Sequence, residues 1–210
     1  MRQRSQTRRR PKLGGGASTR LRSAPTRRSF HFEELDEVTR DWMLLEFREE
    51  QRLPHPYRSN RLTDAGLEAW IPIMEIAISE GDETSLAESL RQPSMLRNRE
   101  PYKKGYRAVP WDAHYSLAIT EFNTWYVRGL ARRLIEEGVP YCEAYRAAPA
   151  SEPRAECEHL EEQVFLVQHI YEGHRARYWP EPGDQTALSI PVGVNCHHTI
   201  RRHPANYVQN

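Results

Sequence analysis

Charge is distributed very unevenly along this 210-residue chain, and that distribution limits which part of it can fold. Residues 1–28 contain ten basic residues and no acidic residue, whereas the rest of the chain contains 20 basic and 29 acidic residues. A segment of net charge +10 therefore precedes a body of net charge −9. The ten cations are Arg2, Arg4, Arg8, Arg9, Arg10, Lys12, Arg20, Arg22, Arg27 and Arg28.

Residues 1–29 form a basic arm that we expect to be disordered. Its few apolar residues and the run Gly14-Gly15-Gly16 leave too little burial to offset the entropy of ordering. Nine of its ten cations are arginine, which makes planar, bidentate contacts with phosphate. We therefore expect the arm to bind DNA or RNA without reading base sequence. A tail folded back on the acidic body and an organelle transit peptide are the alternatives.

Composition also bears on the compartment. No stretch approaches the roughly 20 apolar residues of a membrane span, and the apolar core of a secretory signal is absent. The widely spaced Cys142, Cys157 and Cys196 fit thiols or metal ligands better than a disulfide framework. We expect a cytoplasmic or virion protein without membrane contact.

Residues 30–92 are predicted to be a helical region. Apolar residues recur every three or four positions, which predicts helices over 32–47, from about 63 to Gly81, and over 85–90. Thr63 or Asp64 would cap the second helix, and Thr84 the third. Pro72 either kinks the second helix or begins it.

Residues 93–110 contain three prolines and one glycine, and they are predicted to be a loop or linker. The region 111–210 then begins with the longest predicted helix, opened by Asp112 and closed by Gly138. Apolar residues cover more than one face of this helix. We expect it to be the scaffold of the second half.

The C-terminal part is predicted to turn from helix to strand. After a short helical segment at 151–162, Val164–Tyr171 is rich in β-branched and aromatic residues, Glu172-Gly173 suits a hairpin turn, and His174–Trp179 would be the return strand. A third strand is expected over Ala187–Pro191. The fold class is therefore α+β: a basic arm, a helical N-terminal half, a long helix and a small antiparallel β layer.

Two Cys-x-His units flank the predicted hairpin, and the candidate metal ligands in them are Cys157, His159, Cys196 and His198. Thiolate and imidazole groups on two loops can complete a tetrahedral zinc site. Because a hairpin brings its two ends to one edge of a sheet, Cys157 and Cys196 are expected to lie close together. In the alternative interpretation, the cysteines are small buried residues and the histidines bond to the backbone.

A catalytic set would need Cys142 or Cys196 as nucleophile, a neighbouring histidine as base, and Glu121 or Glu161 to orient it. The sequence contains neither a nucleophile motif nor a glycine-rich phosphate loop. We therefore expect no enzymatic activity.

The run Gly173–Pro180 combines arginine with aromatic residues, a pairing that can clamp nucleic acid by stacking. In the alternative interpretation it is an ordinary strand. Arg175 and Arg177 would then form its solvent face.

Several short motifs together resemble the Mu F-like domain of phage minor head proteins over about residues 112–202. They are Ala118-Ile119-Thr120-Glu121, a helix ending at Gly138, Arg154-Ala155-Glu156-Cys157 with Leu160 and Phe165, and Pro191 to Asn195-Cys196-His197. Two positions depart from the family pattern. Glu161-Glu162 stands where the family usually has glycine, and Gly193-Val194 stands where it usually has His-Pro.

The resemblance implies a minor component of a tailed-phage head near the portal and the packaged DNA, and it implies no enzymatic activity by itself. We expect a structural or assembly protein of a phage or prophage-like particle, with portal or capsid proteins as partners. A non-viral nucleic-acid-binding or ribonucleoprotein component is one alternative. A Cys/His metal-dependent hydrolase is the other.

Overall fold

The computed structural model describes residues 29–149, 157, 159–178, 183–184, 186–193 and 196–204. Within them the chain is α+β, as predicted, with five helices and two small antiparallel sheets. The helices are α1 (Glu37–Gln51), α2 (Asp64–Glu80), α3 (Glu83–Leu90), α4 (Ala113–Glu136) and α5 (Val167–Tyr178). The strands are β1 (Arg99–Tyr102), β2 (Gly105–Ala108), β3 (Tyr141–Arg146), β4 (Val164–Leu166) and β5 (His198–Arg202). The cations of the basic arm and most of the segment 151–162 lie outside the described residues.

Side-chain caps fix where the first helices begin. Thr63 caps α2 as predicted, and Gly81 follows its last residue. Pro72 lies inside α2 and does not end it. Asp82, not Thr84, caps α3: its carboxylate accepts from the Ser85 amide at 2.8 Å, and the Ser85 hydroxyl accepts from the Asp82 amide at 2.9 Å. This reciprocal capping box starts α3 two residues earlier than predicted.

Helix α4 is the centre of the fold, because it buries side chains over most of its circumference. Helix α1 crosses it at Gly129, where an added methyl carbon would lie 2.6 Å from the backbone nitrogen of Met43. Only a glycine at this position lets the two backbones approach so closely. One continuous apolar core extends from Phe30 to Ile200 and includes residues of both halves of the chain.

Buried ion pairs reinforce the same crossing. The Arg128 guanidinium on α4 lies 2.8 Å from a carboxylate oxygen of Glu46 and 3.0 Å from one of Glu50, both on α1. Arg175 on α5 also contacts Glu50, at 3.1 Å. Three helices therefore meet at one set of charges whose carboxylates are almost fully excluded from water.

The three-stranded sheet has the order β4-β3-β5, with both pairings antiparallel. It is joined to α4 by Asn123, whose amide nitrogen donates to the His198 carbonyl at 2.8 Å. The register places Arg146 opposite His198 and Cys142 opposite Arg202. The start of β5 is thereby fixed against the central helix.

The predicted hairpin over residues 164–179 is wrong. Only Val164–Leu166 is a strand, and Val167–Tyr178 is helix α5. The residues buried on α5 are Val167, Ile170, Gly173 and His174, which is helical spacing. Gly173 lies inside α5 and not in a turn, and the helix packs against the Leu188 backbone at this glycine. Residues 187–191 are not a strand either, and the third strand of the sheet is β5.

The segment 93–110, predicted to be a loop or linker, contains the two-stranded hairpin β1–β2. Lys103, at its tip, has a positive φ of 51°. Among the described residues, no helix has the length and apolar content needed to cross a membrane.

Gly129→Ala is expected to destabilise the protein. The added methyl group meets backbone atoms of Met43, so one helix must shift, at a cost of about 2 to 3 kcal/mol in unfolding free energy even though alanine is the better helix former. Urea unfolding measures the change. Gly105→Ala is the control, because a methyl group there meets no atom within 4 Å. Equal stability of the two variants would contradict the tight crossing.

Candidate metal centre and a buried glutamate

The structure brings together three of the four predicted metal ligands. Cys157 lies between β3 and β4, Cys196 just before β5, and His198 at the first position of β5. All three side chains are buried, and their ligand atoms all lie within 4.8 Å of one another. The predicted proximity of Cys157 and Cys196 is therefore confirmed. The reason given for it was wrong, since the intervening chain contains α5 and not a hairpin.

Hydrogen bonds hold this cluster in place. The Asn123 amide fixes the His198 backbone from α4, and the Cys196 amide donates to the Gly193 carbonyl at 3.0 Å. On the ring of His198, Nδ1 lies 3.9 Å from the Cys196 sulfur, whereas Nε2 is buried without a hydrogen-bond partner among the described residues. A buried imidazole nitrogen with no partner is unfavourable. An ion on Nε2 would supply that partner, whereas an ion on Nδ1, the nitrogen nearer Cys196, would leave the Nε2 proton to be satisfied by another group.

Burial dominates the electrostatics of the cluster. It raises the pKa of Cys196, and the neighbouring Cys157 adds to that increase. It lowers the pKa of His198, with a further contribution from the Arg146 charge, while Glu161 acts in the opposite direction. The imidazole is therefore neutral near pH 7, as metal binding requires. A thiol here would release its proton when a metal binds.

The donor set fits zinc in type and approximately in spacing. Two thiolates and one imidazole are common zinc ligands, and a tetrahedral ion would hold a sulfur and a nitrogen about 3.5 Å apart. The observed 3.9 Å between Cys196 and His198 requires only a small contraction. Three ligands leave the fourth position to another group.

His159, the fourth predicted ligand, is exposed and outside the cluster. Cys142 is also outside it: its thiol lies in β3 and donates to the Phe165 carbonyl at 3.7 Å, and burial raises its pKa to about 12. His197 lies beside the cluster and faces the other way. Its Nδ1 is 3.2 Å from the Ala148 carbonyl oxygen, and its ring packs against Phe30.

Of the predicted catalytic set, the structure brings together only Cys196 and a neighbouring histidine, His198. Cys142 and Glu121 lie apart from the cluster, and Glu161 pairs with Arg146 at 2.9 Å. The arginines of the run 173–180 are not free to clamp a ligand. Arg175 contacts Glu50, and Arg177 donates to the Ala187 carbonyl at 2.9 Å.

Glu121 lies in a different part of the molecule. It is fully buried on α4 beside a cavity of about 240 Å³ that Tyr57, Arg58 and Arg61 also line. Burial raises the pKa of its carboxyl to about 8, because the Tyr57 hydroxyl and the Arg58 charge offset desolvation only in part. Glu121 is therefore mostly protonated at pH 7. The sequence identified the residue but not its partners, since Tyr57 and Arg58 lie in a loop without a motif.

Comparisons with models of known protein families, with curated proteins and with solved structures find no match for this chain. The resemblance to the Mu F-like domain therefore stays a prediction.

The zinc hypothesis predicts different behaviour for the three cysteines. Cys157→Ser and Cys196→Ser should each remove stoichiometric zinc and lower the melting temperature, since a structural metal contributes folding free energy directly. Cys142→Ser is the control: it should cost about 1 to 3 kcal/mol through burial of a hydroxyl group and retain the metal. Metal analysis and calorimetry make the measurement. Protein purified without chelator and found to contain no zinc would sink the hypothesis.

Glu121 should make stability depend on pH. Between its ordinary pKa of 4.5 and its folded value of about 8, the folded chain holds a proton that the unfolded chain has released, so the unfolding free energy falls as pH rises. Glu121→Gln should remove this component, and its stability relative to the wild type should increase across that range. Denaturant titrations at several pH values test this. Glu136→Gln, at the exposed end of the same helix, is the control and should keep the wild-type dependence of unfolding free energy on pH. If the curves for Glu121→Gln and the wild type run parallel, the raised pKa of Glu121 is contradicted.

Proposed function

We propose that this chain is a structural or assembly protein of a phage or prophage-like particle, and that it binds nucleic acid through its basic arm. The observation that carries the proposal is the separation of ten cations without one acid from a body of net charge −9. Such an arm gains affinity for any polyanion by releasing counterions, without reading its sequence. DNA and RNA both satisfy this chemistry.

Several buried carboxylates of the body are not available to a folded-back arm, because they are already paired. Arg128 contacts Glu46 and Glu50, and Arg61 lies 2.5 Å from Glu100. Removing a partner from a buried pair is costly, so these acids are poor ligands for the arm.

The particle assignment is supported by the resemblance to the Mu F-like domain and by the positions of the residues that carry it. Thr120 and Glu121 lie on α4, Gly138 follows the end of that helix, and Cys157 and Cys196 are neighbours. Portal and capsid proteins are the proposed partners. Portal and terminase genes beside its gene, and co-purification with particles, are the expected findings. A chain found only with cellular RNA would favour the ribonucleoprotein alternative.

A metal-dependent hydrolase is a second candidate, and the three-ligand cluster is the observation that favours it. An ion with an open fourth position can activate water. However, the cluster is buried, and hydrolysis needs access for a substrate. We therefore propose that zinc, when bound, ties Cys157 to the start of β5. Nuclease activity that disappears in Cys196→Ser would favour the hydrolase instead.

Deleting residues 1–28 should weaken binding to DNA and RNA and reduce its dependence on salt. On duplex DNA, the slope of log affinity against log salt falls by about 0.9 for every phosphate that the arm no longer neutralises. Several arginines act together, so the change in slope is readily measured. Fluorescence anisotropy over a series of salt concentrations is the measurement.

Two full-length variants serve as controls for this deletion. Replacing the nine arm arginines with lysine keeps the charge and should keep most of the slope. Replacing them with glutamine should reproduce the deletion. Unchanged binding in the deletion variant would refute the role of the arm.

A further inference from the structure

The hairpin β1–β2 exposes aromatic and basic residues together. All of its strand residues are exposed except Glu100. Residues 96–111 contain five basic residues and a single acid, which is Glu100 itself. That carboxylate lies 2.5 Å from Arg61 and 2.6 Å from Arg107, so the acid is neutralised and the hairpin presents positive charge.

The strand register gives the hairpin two different faces. Glu100 and Arg107 are opposite each other, and the contact of Glu100 with Arg61 turns their face toward the body. Tyr106 and Arg99 therefore share the opposite, outward face. The Arg99 guanidinium lies 5.9 Å from the centre of the Tyr106 ring, and Tyr106 is 68% exposed.

The exposed surface continues past the end of the hairpin. The Val109 amide donates to the Asn98 carbonyl at 3.0 Å and closes its base. Trp111 follows and is 84% exposed. It lies at a cavity of about 740 Å³ that Arg91, Arg97 and one acid, Glu88, also line. A second exposed aromatic ring and a groove with two arginines thus lie beside the base of the hairpin.

We propose that the surface from the tip of the β1–β2 hairpin to Trp111 is a binding site for single-stranded nucleic acid. Tyr106 and Trp111 stack on unpaired bases. Arg99, Lys103 and Lys104 contact the phosphates that flank these bases. The site deepens the proposed function, since it adds a second and chemically different contact to that of the arm.

The positive charge and the exposed aromatic rings together indicate single-stranded nucleic acid as the ligand. The only acid of residues 96–111 is already paired, so Arg99, Lys103 and Lys104 favour a polyanion, whereas protein interfaces are depleted in lysine at their centres. Exposed aromatic rings gain most from a ligand with flat apolar faces, and bases offer those faces only when they are unpaired. A duplex would meet the cations and leave the rings in water.

The test uses the full-length chain with an oligothymidylate of about 15 nucleotides and a duplex of the same length, read by fluorescence anisotropy. Tyr106→Ala should weaken binding of the single strand about tenfold and leave the duplex unchanged, because one base no longer stacks. Tyr106→Phe keeps the ring and should bind like the wild type. Tyr141→Ala removes an exposed tyrosine at the start of β3, away from the hairpin, and should change neither affinity.

A double variant, Lys103→Ala with Lys104→Ala, should reduce the salt slope for the single strand by about 1 to 2. Tyr106→Ala and Trp111→Ala variants that both bind the oligonucleotide like the wild type would overturn the proposal. An equal weakening on the duplex would overturn the preference for single strands. Because these variants keep the arm, their outcome is separate from that of the arm deletion. If the hairpin variants weaken binding and the arm deletion does not, the hairpin site is supported and the role of the arm is refuted.

Discussion

The close crossing of α1 over α4 is the contact on which the other elements depend. Gly129 lets the Met43 backbone approach, and that approach places Glu46 and Glu50 within reach of Arg128. Removing one member of such a buried set costs about 3 to 5 kcal/mol, because the remaining charge stays out of water. Asn123, more than one turn before Arg128 on the same helix, holds β5 through its bond to His198. The same helix therefore positions both the crossing with α1 and the candidate metal cluster.

Much of the helical fold could be predicted from the sequence, because local chemistry determined it. Thr63 and Gly81 mark the ends of α2, and the apolar spacing of α4 revealed a central helix. The failure at 167–178 also has a physical cause. The β-branched run around Val164 and the dipeptide Glu172-Gly173 suggested a hairpin, whereas the partner that decides the matter, the Leu188 backbone packed on Gly173, is distant in sequence.

The candidate sites show the same limit. Residue type and spacing identified the three candidate metal ligands that lie together, but they did not indicate that His159 is exposed. The β1–β2 hairpin was missed because its prolines indicated a loop, and because the Glu100 carboxylate joins it to Arg61, 39 residues away. Long-range ion pairs of this kind leave no local pattern.

The anchoring of Phe30 also bears on avidity. Its amide donates to Glu83 at 2.8 Å, so the ten cations are joined to the body at the first residue of α3. The same helix lines the groove beside Trp111, from Thr84 to Leu90. A strand bound by the arm, as proposed, would meet the proposed hairpin site at an effective concentration on the order of millimolar. Two weak contacts on one body would then hold a strand far longer than either contact alone.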